Sequence, residues 1–121
     1  MVKLEFDDMV TVKFHEKYYQ DIKNDIKRLT SRIKPKQDIL HKVFKAQFIN
    51  DEDEIVKDKD LYLFCIEQGS RRLKDYQMHD ITYEGYSNPY EFYDELNRIY
   101  GDVDENILLY YIRFRCVGNV K

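Results

Sequence analysis

An amine, an alcohol and a carboxylic acid brought into one pocket can hydrolyse a small carbonyl compound, and Lys27, Thr30 and Glu84 are the residues here whose types and settings suit that chemistry. Lys27 and Thr30 belong to the run Asp25-Ile26-Lys27-Arg28-Leu29-Thr30-Ser31-Arg32, and Glu84 opens Glu84-Gly85-Tyr86-Ser87. An amide is a poor electrophile with a poor leaving group. It needs an activated nucleophile, a proton for the departing amine and stabilisation of the oxyanion. Thr30 would serve as nucleophile with Lys27 as its base, if burial lowers the lysine's pKa. Alternatively, Lys27 and Glu84 would activate a water. Glu84 would also protonate the leaving amine. Arg32, two residues beyond Thr30 on a strand, would share its face and face the oxyanion.

The elements that must position these groups follow from periodicity. Residues 9–14 alternate Val10, Val12 and Phe14 with Thr11 and Lys13, as a strand does. Residues 15–25 predict a helix with Tyr18, Ile22 and Ile26 as its buried stripe, Tyr19 beside them, and Lys23 and Lys27 off the stripe. Asn24 and Asp25 would close it, since both tolerate the left-handed conformation. A short strand over 29–33 is stopped by Pro35, which has no N–H for a ladder. Residues 38–48 alternate more loosely, 50–60 form an acidic exposed loop, and 61–67 are a nearly continuous apolar strand that Gly69 and Ser70 end as a turn. Asn88, Pro89 and Glu91 mark a helix start, with Phe92, Leu96 and Ile99 as the buried face and Gly101 as the stop. Residues 107–117 read as the longest strand, Ile112, Phe114 and Cys116 facing one way and Tyr111, Arg113 and Arg115 the other.

A chain of 121 residues, 43% hydrophobic, fits one domain spanning 1–121 with a real core. Its strands, interrupted by two main helices, predict an α+β fold: a small mixed β-barrel plugged by helices, not a doubly wound parallel sheet. The net charge of −3 names no partner, but residues 13–45 carry ten basic groups against four acidic ones, and 51–60 carry six acids against two lysines. Cys65 and Cys116 sit in apolar runs, as free thiols of a reducing compartment do. No apolar run reaches the roughly 18 residues of a membrane span, and Glu5, Asp7 and Asp8 break any leader-like stretch. A cytoplasmic, soluble monomer or weak homodimer is expected. His15, His41 and His79 share no ligand spacing with the cysteines, so no metal or other cofactor is expected. His79, near Glu84, reads as a loop histidine.

At these residues the chain resembles the ASCH family of PUA-like β-barrels. Lys27-Arg28-Leu29-Thr30-Ser31-Arg32 matches the K-x-x-T-x-R part of a G-x-K-x-x-T-x-R motif. Glu84-Gly85-Tyr86 with the helix ending Ile99-Tyr100 is similar to a later Glu-Gly-aromatic segment. Tyr111-Ile112-Arg113-Phe114-Arg115-Cys116 resembles the closing strand, and Gln37-Asp38-Ile39-Leu40 resembles a Gly-Asp turn. Asn24 and Asp25 stand where the first motif has glycine. Small bacterial members include amidohydrolases that deacetylate N4-acetylcytidine. The resemblance implies that activity here, with Lys27, Thr30 and Glu84 as the catalytic set, Arg32 on the substrate and a modified nucleoside as partner. A competing expectation is a non-catalytic module for single-stranded RNA, using Tyr111, Arg113, Arg115, Lys34 and Lys36 among the eleven tyrosines, because aromatic rings beside cations hold unpaired bases. A ribonuclease with Lys27 and Glu84 as acid and base, and a plain protein-interaction domain, are weaker alternatives.

Overall fold

Alternation decides which side of each strand is dry. In the computed structural model, which describes residues 9–35 and 37–119, Thr11–His15 forms β1 and buries Val12 and Phe14. Leu29–Arg32 forms β2, Val43–Ile49 β3, Leu61–Arg72 β4 and Leu108–Asn119 β5. These strands make one mixed sheet in the order β1-β3-β4-β5-β2, parallel between β1 and β3 and antiparallel elsewhere. Phe44, Ala46, Phe48, Leu61, Leu63, Ile112 and Phe114 meet Val12 and Phe14 on its inner face, and Phe14 packs edge-on to Phe114 with centroids 5.9 Å apart.

The expected closed barrel is an open sheet. β1 and β2 are its two edges, and no strand ladder joins them among the described residues. A side chain spans the gap instead: Arg32 Nη2 donates to the Lys13 carbonyl at 3.2 Å.

Three α-helices accompany the sheet, one more than the two expected. A single 3₁₀ turn, Glu16–Tyr18, leads into α1, Tyr19–Lys23, which buries Tyr19 and Ile22 beneath the sheet. This helix is shorter than the predicted 15–25. Asp25 takes φ +58° and the chain reverses, so the four-residue period stops before Ile26, which is left 55% exposed. The Asp21 carbonyl accepts from the Ile26 and Lys27 N–H groups, and the reversed chain carries Lys27 inward to 4% exposure, against the expectation that it lies off the buried side.

Helix α2, Met78–Glu84, was not foreseen; it holds His79, which is therefore helical and exposed rather than a loop residue. Its seven residues bury Ile81 yet carry no long apolar stripe. The Asp80 carboxylate accepts from Gln77 N–H at 2.9 Å at its start, and Gly85 closes it at φ +100°. Helix α3, Pro89–Tyr100, starts as predicted, with the Asn88 side chain accepting from Glu91 N–H. Phe92 and Leu96 join Leu73, Ile81 and Leu109 in a second apolar cluster, but Ile99 is 51% exposed.

Gly69 and Ser70 do not end β4; they pair with Tyr111 and Tyr110 in the ladder. The Tyr111 phenol fills the space a Cβ on Gly69 would need, its oxygen 2.9 Å from that position, so the glycine marks a close approach rather than a turn. Both cysteines are free thiols, and no described helix is long and apolar enough to cross a membrane.

Gly85→Ala tests how firmly α2 must stop. An added Cβ would meet Lys27 Cβ at an ordinary 3.6 Å, so the cost is one of backbone conformation, about 1–2 kcal/mol. Urea unfolding should show the loss, and an unchanged midpoint would contradict this account of the helix end.

Candidate active site

The gap between β1 and β2 is the reason a cavity exists. Arg32, Thr30 and Phe14 line it from the strands, Lys27 from the turn before β2, Glu84 from the end of α2, and Leu96 and Ile99 from α3, around about 200 Å³. Ile99 is exposed because it faces this opening instead of the core.

Lys27 and Glu84 form the cavity's charged centre. The Lys27 ammonium donates to Glu84 Oε1, to the Glu84 carbonyl and to the Leu29 carbonyl, each at 2.9 Å. Three acceptors match three N–H groups, so the amine rests as an ammonium. Burial pushes its pKa below the ordinary lysine value, and the Glu84 carboxylate pulls it back. The Tyr18 ring covers it, the nitrogen 4.9 Å from the ring centroid.

The other Glu84 oxygen, Oε2, accepts from Ser31 Oγ at 2.5 Å, and Ser31 Oγ lies 2.6 Å from the Tyr76 hydroxyl. Burial pushes the Tyr76 phenol up, so it stays neutral and donates. With its own proton on Glu84, Ser31 accepts that bond, giving a chain from Tyr76 through Ser31 to Glu84 and Lys27. Residue spacing did not single out Ser31 or Tyr76. Ser31 was visible only as the middle residue of Thr30-Ser31-Arg32, and its use follows from β2 being an edge strand that α2 can reach.

Thr30 is 2% exposed and pairs with Ile112 across β2 and β5. Its hydroxyl accepts from Arg32 Nη1, and its own proton has no acceptor among the described residues. Arg32 shares the Thr30 face as expected, and its guanidinium lies 5.6 Å from the Phe14 ring centroid. The four residues named from the sequence, Lys27, Thr30, Arg32 and Glu84, therefore meet on one cavity.

The rim is a network around Glu95. Its carboxylate accepts from Lys17 Nζ at 3.1 Å, from Tyr18 at 3.3 Å and from Arg98, and the Tyr18 hydroxyl lies 3.0 Å from that of Tyr86. The Arg98 hydrogen bond, more than Lys17, holds the Glu95 pKa at about 2 against an ordinary 4.5. A depressed carboxylate stabilises the fold above its unfolded pKa, and that contribution is lost as pH falls. Thermal midpoints should therefore drop between about pH 4.5 and about pH 2 through this group, and Glu95→Gln should flatten that limb. Parallel midpoint curves for the two chains would contradict the assignment.

The residues proposed for RNA do not form one surface with the cavity. Tyr111, Arg113 and Arg115 lie on the outer face of β5, with Tyr111 beneath the Arg71 guanidinium at 5.0 Å. Lys34 is exposed in the turn after β2, and Lys36 lies outside the described residues.

No protein-family model and no curated protein matches the sequence. Solved structures do match. An ASCH domain from Lactobacillus crispatus JV V101 aligns with a TM-score of 0.63 at 10% identity, over 98% of this chain and 87% of that one. A protein of the DUF984 family from Enterococcus faecalis V583 aligns at 0.63 and 12% identity, over 93% and 83%. A variant of the ASCH protein from Zymomonas mobilis aligns at 0.64 and 7% identity, over 92% and 71%. At these identities the likeness is one of architecture, and the fold of this chain is that of the ASCH domains.

Proposed function

We propose that the chain is an amidohydrolase that removes the acyl group from an acylated nucleoside of the N4-acetylcytidine type. The observation that carries this reading is the buried Lys27–Glu84 pair facing, across one small cavity, a hydroxyl whose proton is uncommitted. A volume of about 200 Å³ is below the roughly 300 Å³ at which drug-sized pockets begin, which suits an acetylated pyrimidine ring better than a polymer.

In this reading a proton passes from the Lys27 ammonium to Glu84, 2.9 Å away, giving an amine and a carboxylic acid. Burial brings such a neutral pair closer in free energy to the resting ion pair. The Thr30 oxygen attacks the acetyl carbon, and its proton goes to the Lys27 amine. The Arg32 guanidinium, which sits at that oxygen, turns its donors to the acetyl oxygen as negative charge develops there. The Glu84 acid then protonates N4 as the C–N bond breaks, and cytidine leaves. Water, deprotonated by the Glu84 carboxylate, attacks the acetyl–Thr30 ester; Glu84 returns that proton to the departing Thr30 oxygen, and the acetic acid formed leaves as acetate and a proton. Ser31 and Tyr76 hold the carboxylate through Oε2 during both proton transfers.

The test is chromatography of N4-acetylcytidine incubated with the purified chain. Cytidine and acetate should appear, Thr30→Ala should abolish both, and Thr30→Ser should retain part of the rate. Full activity in Thr30→Ala would move the attack from the threonine to a water.

A further inference from the structure

Arg113 and Arg115 alternate with the core residues Ile112 and Phe114, so both point outward from β5. Arg28 arrives beside them from the turn before β2, fixed by its N–H to the Tyr83 carbonyl at 2.6 Å. The guanidinium carbons of Arg28 and Arg113 lie 5.6 and 5.5 Å from the Tyr83 ring centroid, and that of Arg115 lies 5.7 Å from that of Phe64. Arg28, Tyr83, Arg113, Arg115, Ile66 and Asp25 line a hollow of about 300 Å³ on this face. The three arginines and Tyr83 are absent from the lining of the catalytic cavity.

The charges around this hollow are unbalanced. Two other arginines have acids, Arg71 with Asp80 and Arg98 with Glu95, while Arg32 and Arg72 donate to hydroxyl or backbone oxygens. Arg28, Arg113 and Arg115 have no carboxylate oxygen within 4.0 Å among the described residues. Asp25, the acid in the lining, spends its Oδ1 on the Cys116 N–H at 2.9 Å, and it is the Asp25 backbone carbonyl that receives Arg28 Nε. Three guanidinium groups around one concavity repel one another unless an anion sits among them. Their planar forks match phosphate oxygens, and a doubly charged group offsets three cations better than a single carboxylate does.

We propose that this hollow is a phosphate-binding site, distinct from the catalytic cavity, which takes the phosphate group of a nucleotide. The same group reaches it either from a free mononucleotide or from the backbone of a single strand of RNA.

The experiment is an NMR titration of the full ¹⁵N-labelled chain with inorganic phosphate, cytidine 5′-monophosphate and a short single-stranded oligocytidylate. Amide shifts at Arg28, Tyr83 and Arg115 should saturate. Arg115→Gln, at an exposed residue that makes no side-chain hydrogen bond, should weaken binding about tenfold. Arg113→Gln should do the same, and Lys74→Gln should change nothing. Binding of the oligonucleotide that exceeds the mononucleotide's identifies the strand as source, with a slope of about −0.7 in log K against log salt for the one backbone phosphate the hollow takes. Equal affinities identify the free nucleotide. The absence of saturable shifts at these residues with all three probes, or undiminished binding in both arginine variants, overturns the proposal.

Discussion

Glu84→Gln is expected to slow cytidine release from N4-acetylcytidine by about a hundred- to ten-thousand-fold, the range of a lost general acid–base group. The change removes one charge and almost no volume. Its effect is large because two proton transfers pass through one carboxylate, and an amide can neither take the Lys27 proton nor deliver one to the leaving nitrogen. Glutamine also offers Ser31 and Lys27, both donors, only one oxygen between them. The rates must be compared at a temperature where both chains are folded, which near-ultraviolet circular dichroism of the partly buried tyrosines packed on the core reads directly. A rate within a factor of about three of the parent would remove Glu84 from the chemistry.

The second large effect is on stability. Lys27→Met leaves the Glu84 carboxylate buried without its counter-charge, and breaking a buried pair from one side costs about 3–5 kcal/mol. With a urea dependence of about 1–3 kcal/mol per molar, the midpoint should fall by on the order of 2 M. The double change Lys27→Met with Glu84→Gln should recover much of that loss, because no ion is then stranded, while remaining inactive. Recovery without activity separates the pair's structural cost from its catalytic use. A single Lys27→Met chain as stable as the parent would mean that water reaches the carboxylate and the cavity is not dry.

Much of the positioning scaffold was legible from residue types. Alternation located β1 and β5, and the Asn88–Pro89–Glu91 signal located the start of α3 because capping is a local interaction; over residues 38–48 the alternation left a strand and an irregular crossing both open, and β3 is the strand. Asp25, at the position where the resembled motif has glycine, takes the left-handed conformation at φ +58°. What failed depended on distant contacts. The burial of Lys27 is invisible in a four-residue period that ends at Asp25, and it rests on a carboxylate 57 positions away. Helix α2 is too short to show a period, and Gly69 mimics a turn because the reason for it, the Tyr111 ring, lies on another strand. Barrel closure could not be read from strand count, since it depends on whether β1 and β2 come near enough to pair. Ser31 and Tyr76 escaped notice because a serine and a tyrosine carry no charge to flag them. Their role follows only from the 2.5 and 2.6 Å bonds that tie them to Glu84.

The most direct measurement follows N4-acetylcytidine by chromatography over time with the parent and Glu84→Gln chains, side by side and equally folded. The account predicts cytidine accumulating with the parent chain and essentially none with the variant. Intact substrate in both reactions, or equal cytidine in both, would contradict it.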